Sequence, residues 1–564
     1  MIRFCKTSAI ILAGLFSLLS LGLKAQWTQQ GADIDGEANG DRSGWSVSLS
    51  ADGYTVAIGS YLNNNRGHVR VYKNTGGTWT QQGADIDGET NGDASGVSVS
   101  LSADGTTVAI GAHFNSGDGT GRGHVRVYKN IGSTWIQQGA DIDGEADNDQ
   151  SGYSVSLSED GHTVAIGALG NNGFRGHVRV YKNIGGAWTQ QGLDIDGETN
   201  GDASGFAVSL SLDGTTVAIG APFNSSHRGH VRVYKVIDGN WTQQGADIDG
   251  ETNGNQSGIS VSLSSDGTTV AIGAPFNSGG GTNRGHVRVY KNIGGNWTQQ
   301  GADINGESNG DLSGYSVSLY AGGSTVAIGA LGNSGFRGHV RVFKNFGGTW
   351  TQQGANIDGE ANSDQSGKSV SLSADGSKVA IGAPFNDGGG ADQGHVRVYS
   401  YCSQTQQFLN SILAIAKQKG KKVYVCRQGI YTLQVSVSEF YFYLFQGYRQ
   451  GKCGVNYCEG LELRGNGLDD FIGTINDQSA EGSMVLYPNP ATQTLNVKLP
   501  FHTEQAIQIR VYNTLGQSMI NQPYYFSGKD HGVLPVNIQK LPQGLYFLKA
   551  YGEGYEASMP FTKF

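Results

Sequence analysis

Short runs in which every second residue is apolar recur through most of the chain. Trp45–Ser50 reads WSVSLS, with Val47 and Leu49 on one face and serines on the other. Asp52-Gly53 follows, then Thr55–Gly59 (TVAIG), where Val56 and Ile58 share a face. His68–Lys73 (HVRVYK) alternates through Val69 and Val71, Asn74–Thr78 turns the chain, and Trp79–Ile86 forms the next run. A period of two residues marks strands with one buried face. Glycine after aspartate supplies the positive φ that a tight hairpin needs. Helical spacing is absent, so the pattern predicts four antiparallel strands in a unit of about 50 residues.

The unit is repeated. Trp27, Trp79, Trp135, Trp188, Trp241, Trp297 and Trp350 each open a Trp-x-Gln-Gln-Gly segment. Ser-Gly pairs from Ser43 to Ser366 and Gly-His-Val-Arg-Val runs from Gly67 to Gly394 also count seven. One such sheet cannot cover its own faces, but neighbouring units can, and Ser, Ala and Gly let the sheets approach. The expectation is an all-β chain whose residues 26–400 form a seven-bladed β-propeller of four-stranded blades. The array starts on a Trp strand and ends on a Gly-His-Val-Arg-Val strand. Trp27–Ile34 is therefore expected beside Gly394–Tyr399, where it would complete the seventh blade and remove an open edge. An open solenoid is the alternative, but solenoids carry atypical capping repeats.

The stretch Ser257–Pro275 (SGISVSLSSDGTTVAIGAP) resembles the FG-GAP repeats of integrin α-subunit propellers. It is closer still to their bacterial relatives, which carry the same Trp-Thr-Gln-Gln and Gly-His-Val-Arg-Val-Tyr stretches. The resemblance spans about residues 26–400 and implies extracellular recognition. Integrin-type repeats hold calcium in a long Asp-rich loop between the first two strands. Here that loop has shrunk to Asp52-Gly53, Asp104-Gly105, Asp266-Gly267 and their equivalents, so the family's site does not carry over.

A different acidic loop repeats after the Trp strand. Asp87, Glu89, Asn91 and Asp93 stand at alternate positions, as do Asp196, Glu198, Asn200 and Asp202. This spacing matches the start of a calcium loop, although Ser98 stands where the bidentate Glu belongs. Calcium at these eight residues is one expectation. The other is that the side chains bond their own backbone and hold the crossing between blades. No further cofactor is expected.

Seven histidines, at 68, 124, 177, 230, 286, 339 and 395, occupy one strand position. Catalysis needs different groups converging on one substrate, so a packing role is expected for them. Gly-x-Ser-x-Gly, Walker and His-Glu-x-x-His motifs are absent. Loops between the second and third strands vary most and are expected on one rim, with Phe174, Phe336 and His227 their least repetitive residues.

Composition adds an address. A net charge of −9 with 15% charged residues offers no basic surface for nucleic acid. The 89 glycines follow no collagen period. Residues 1–25, with Arg3 and Lys6 ahead of the apolar run Ser8–Leu23 and Ala25 at the cut, read as an export signal. No later run is long enough to span a membrane. Cys402, Cys426, Cys453 and Cys458 fall in residues 401–480, a small Cys-containing module and linker. Disulfides are the default outside the cell, with all three pairings open. Zinc is the alternative, without two close Cys-x-x-Cys pairs to support it. Gln406–Lys419 has the spacing of a short amphipathic helix.

Residues 481–564 resemble the C-terminal sorting domain of the type IX (Por) secretion system. The matching residues are Leu486–Pro490 (LYPNP), Leu495–Val497 (LNV), Ile509–Gly516 (IRVYNTLG) and Leu541–Phe547 (LPQGLYF). Alternation there predicts a β-sandwich. The resemblance implies recognition by the type IX machinery, then release or attachment at the cell surface. The function expected is a secreted or cell-surface binding or adhesion propeller with a glycan or surface-protein ligand. Two alternatives are a propeller-type polysaccharide hydrolase or lyase, which needs non-repeating carboxylates or histidines on the inner strands, and a purely structural surface protein.

Overall fold

The computed structural model describes residues 26–402, apart from 118, and strand segments within 423–435 and 485–563. The chain divides into two compact units, 1–412 and 413–564. In the first blade Ser46–Leu49, Thr55–Ser60, His68–Thr75 and Thr78–Gln81 pair in chain order, all antiparallel. Seven such sheets follow one another. Each innermost strand touches the next, and Ser369–Leu372 of the last blade touches Ser46–Leu49 of the first, so the ring is closed. The unit is a seven-bladed β-propeller.

Blade packing explains the unusual second strand, in which all six residues of Thr55–Ser60 are buried. Val56 and Ile58 turn to one side, against Val47, Leu49 and the preceding blade's Ala380, Val396 and Val398. Ala57 turns to the other, into a cluster with Val69, Val71, Val99 and Ile110. Large residues of one sheet thus meet a small residue of its neighbour, and the strand has no solvent face. The serines of the inner strands stitch the ring. Ser46 Oγ donates to the next blade's Gly96 carbonyl at 2.8 Å, and Ser48 Oγ accepts the Leu101 N–H at 2.9 Å. The same two bonds close the circle, from Ser369 to Gly44 and from Leu49 to Ser371.

Closure uses the first described residues. Gln26–Gln29 runs antiparallel to Tyr399–Cys402, with Trp27 opposite Tyr401, and Ile34 pairs with Val396. The strap is also tied sideways. Trp27 Nε1 donates to the Gln353 carbonyl of the sixth blade at 2.8 Å, and Trp79 Nε1 of the first blade donates to the Gln30 carbonyl at 2.6 Å.

The fourth strand differs from the continuous run expected over Trp79–Ile86. It is two pieces, Thr78–Gln81 and Ile86–Asp87, both along His68–Thr75, and the hairpin turn lies at Gly76-Gly77. Gly83 makes the break at φ +78°, where any side chain would strike the Ser133 carbonyl and the Trp135 ring of the next blade. The Gln81 amide, donating to Asp85 at 2.7 Å, holds the bend.

In the second unit, Val423–Arg427 and Tyr431–Val435 form a hairpin. Val485–Tyr487, Thr494–Lys498 and Val533–Asn537 make one sheet, and Ala506–Asn513, Ser518–Tyr525, Gly544–Gly552 and Tyr555–Lys563 another. Leu495, Val497 and Val536 of the first and Ile509, Val511 and Leu548 of the second are fully buried at alternating positions, the signature of a sandwich. The export signal at 1–25, the helix expected over 406–419 and the pairing of Cys402, Cys426, Cys453 and Cys458 lie outside the described residues. Among the described residues no helix is long and apolar enough to cross a membrane.

Candidate functional site

Sevenfold repetition breaks down at the entrance to the inner strands, as it does in the loops after the second strands. The residue that follows each Ser-Gly leads into an inner strand, and here the chain places Trp45, Val97, Tyr153, Phe206, Ile259, Tyr315 and Lys368. All are half-buried, at one end of the central channel. The loops after the second strands reach the same end, because Tyr61 packs tilted against Trp45 at 4.5 Å and His113 meets Tyr153 edge-on at 5.5 Å.

Two zones result. On one side Phe114, His113, Tyr153, Phe206, Phe223 and His227 form a continuous aromatic arc with ring separations of 3.8–5.9 Å. On the other, Lys368 Nζ sits 4.0 Å from the Trp45 ring and 4.3 Å from that of Tyr315, to whose hydroxyl it donates a hydrogen bond at 2.7 Å. Arg42 lies over Phe385 at 4.6 Å and donates to the Tyr61 hydroxyl at 2.8 Å. Burial, and then the facing Tyr315, keep the Tyr153 hydroxyl protonated well above its ordinary range. Of the loop residues expected on this rim, His227 joins the arc, while Phe174 and Phe336 are about half exposed.

Burial alone pushes His113 down to about 4 from 6.5. Between those values the unfolded chain binds the proton more readily, so His113 contributes stability above pH 6.5 that is lost as pH falls toward 4. The shift corresponds to about 3 kcal/mol. His113→Leu, which copies Leu169 of the third blade, is expected to lose less stability than the native protein between pH 6.5 and 4 in denaturant titrations.

The structure disperses the eight acidic-loop residues. Asp93 turns inward, its carboxylate accepting the Glu89 and Thr90 N–H groups at 2.9 and 2.8 Å and the Thr90 hydroxyl at 2.6 Å. Asp202 does the same for Thr199 and also accepts the Asn224 amide at 3.1 Å. Glu89 and Glu198 instead turn to His124 and His230. Asp196 pairs with Arg175 at 3.0 Å, and Asp87, Asn91 and Asn200 are exposed.

The seven histidines are buried, and each lies within 4 Å of at least one carboxylate. Burial, before any charge, lowers their affinity for a proton. The arginine two residues on reaches to the preceding blade, Arg70 Nη2 donating to the Asp35 carbonyl there, while its Nη1 donates to the Tyr72 hydroxyl on its own strand. Sequence reasoning noted the histidines without their carboxylates and passed over the channel mouth. Its signal was available: the positions on either side of a Ser-Gly pair that itself never changes.

Residues 485–559 match the family model of the secretion system C-terminal sorting domain. The protein is thus a β-propeller joined to a sorting tail, of the class exported by the type IX system to the cell surface or beyond. Among solved structures the chain is similar to PorZ, an essential surface component of the type IX secretion system of Porphyromonas gingivalis. That match has 10% identity and a TM-score of 0.36, covering 94% of this chain and 60% of PorZ. It is also similar to the β-propeller domain of the trilobed protease of Pyrococcus furiosus, at 9% identity and a TM-score of 0.36, covering 64% of this chain and 91% of that one. Likenesses this distant carry no functional argument. No curated protein matches the chain.

Proposed function

We propose that this exported protein is a surface-binding module whose propeller holds an acidic glycan at the channel mouth. The reading rests on one observation: where the inner strands begin, the near-identical blades diverge, and aromatic rings and two cations, Lys368 and Arg42, gather around the channel. Aromatic faces suit the C–H faces of sugar rings, and the cations suit carboxylate or sulfate groups. Lys368 and Arg42 are already oriented by the rings beneath them, which lowers the entropy lost on binding. They place two cations at the mouth of a chain whose net charge is −9.

A glycan array probed with the full chain tests this. Retention of acidic over neutral glycans is expected, with Trp45→Ala and Lys368→Ala each weakening it about ten-fold, the equivalent of roughly 1.4 kcal/mol. Binding to no glycan, or binding that neither substitution changes, would overturn the proposal.

A further inference from the structure

A second feature is repeated rather than unique, and it lies away from the channel mouth. His68 is fully buried at the start of a third strand, with Nδ1 3.7 Å from Glu37 Oε2 and 3.5 Å from Asp85 Oδ2. Neither of its ring nitrogens has a hydrogen-bond partner. Glu37, His68 and Asp85 each bring a ligand atom to within 4.8 Å of the others. Similar distances, 3.4–3.9 Å, recur at His124, His177, His230, His286 and His395.

These separations are too long for hydrogen bonds. They are close to what a shared ion imposes, since two ligands each about 2.0–2.1 Å from a tetrahedral zinc stand roughly 3.4 Å apart. Two carboxylates held together beside a buried, unpartnered imidazole are unfavourable alone and become favourable around a cation. Both ring nitrogens of His68 lack a hydrogen-bond partner, so a neutral ring has a lone pair to offer a metal ion. Around it stand Glu37, Asp85, Asp41 and Asp87 against Arg70, which lies 3.8 Å from the other Glu37 oxygen. The negative excess leaves room for a divalent ion. Glu37 and Asp85 are part-exposed, and beside the equivalent Asp141 a groove lined by Tyr181 and Trp188 opens to solvent.

We propose that the Glu–His–Asp cluster in six of the seven blades is a binding site for a zinc-type divalent transition-metal ion, with water completing the coordination. An imidazole with two carboxylates suits such ions, whereas calcium and magnesium take oxygen ligands. The sixth blade is the internal exception. Glu307 lies 3.7 Å from His339, but Asn356 replaces the aspartate and donates its amide to Glu307 Oε2 at 2.8 Å. Where the second carboxylate is missing, an N–H group supplies the positive partner that an ion supplies elsewhere. The site of the seventh blade takes Asp33 from the closing strap, with Glu360 and His395.

Isothermal titration of chelator-stripped full chain with zinc chloride, with bound metal counted afterwards, tests the proposal. Six ions per chain are expected. Asp85→Asn, which copies the sixth blade, should bind one fewer, and Asn356→Asp one more. Both substitutions preserve volume, and unchanged circular dichroism would confirm folding. A count that neither substitution moves, no binding of zinc, or displacement of zinc by equimolar calcium would overturn it.

Discussion

A chain from which residues 26–35 are deleted is expected to lose the closed ring and to associate through the exposed edge. The deletion removes the ladder to Tyr399–Cys402, the Ile34–Val396 pair and the Trp27 indole bond to Gln353. It also leaves the Trp79 indole without the Gln30 carbonyl. Ile34 alone, 4% exposed, contributes about 1.5–3 kcal/mol by burial. Each lost hydrogen bond adds about 1 kcal/mol. The third strand of the seventh blade then presents unpaired backbone groups, a template for a second copy. Calorimetry should show a markedly lower melting temperature, and sedimentation should show oligomers. A peptide of residues 26–35 added in excess should partly restore both. Unchanged melting and a monomeric chain would show that the strap does not close the ring.

Gly111→Ala is expected to be nearly as damaging, for a different reason. This glycine has ordinary backbone angles, so its conformational freedom is not the issue. An added Cβ would collide with the Gly152 carbonyl of the next blade and with Ser98 Oγ. Gly152 is the glycine whose carbonyl also accepts the Ser98 hydroxyl at 2.8 Å, so the neighbour cannot move away without breaking a stitch. Rigid backbone on one side and a bonded serine on the other predict a loss of about 3 kcal/mol. Chemical denaturation should resolve this readily, and Ser116→Ala, in an exposed loop, should be neutral by comparison. A loss below that of Ser116→Ala would mean the blades stand further apart than described.

Much of this architecture is legible in the sequence because its signal is local. Val47, Leu49, Val56 and Ile58 alternate as strands must, and the Asp-Gly turns fix where each hairpin reverses. Closure is legible from register, because an array that begins on a Trp strand and ends one strand short has only one economical completion. The break at Gly83 is not legible, since what forbids a side chain there belongs to the next blade, about 50 residues away. The Glu–His–Asp clusters are hidden for the same reason. Glu37, His68 and Asp85 are ordinary members of three different motifs until the fold brings them together. The channel mouth is hidden otherwise: Trp45, Tyr153 and Lys368 look like drift in a repeat when each is read within its own unit.

The strap sets an order of events. Trp27 finds its acceptor 326 residues further along the chain. The strap, made before any blade, therefore waits for the sixth and seventh blades before it has partners. Contacts so distant in sequence form late and slowly. Until the seventh blade has been made, only joints between blades that follow one another in the chain can form. Such an incomplete chain stays an unlatched arc, and the circle closes only once every blade of the propeller is present.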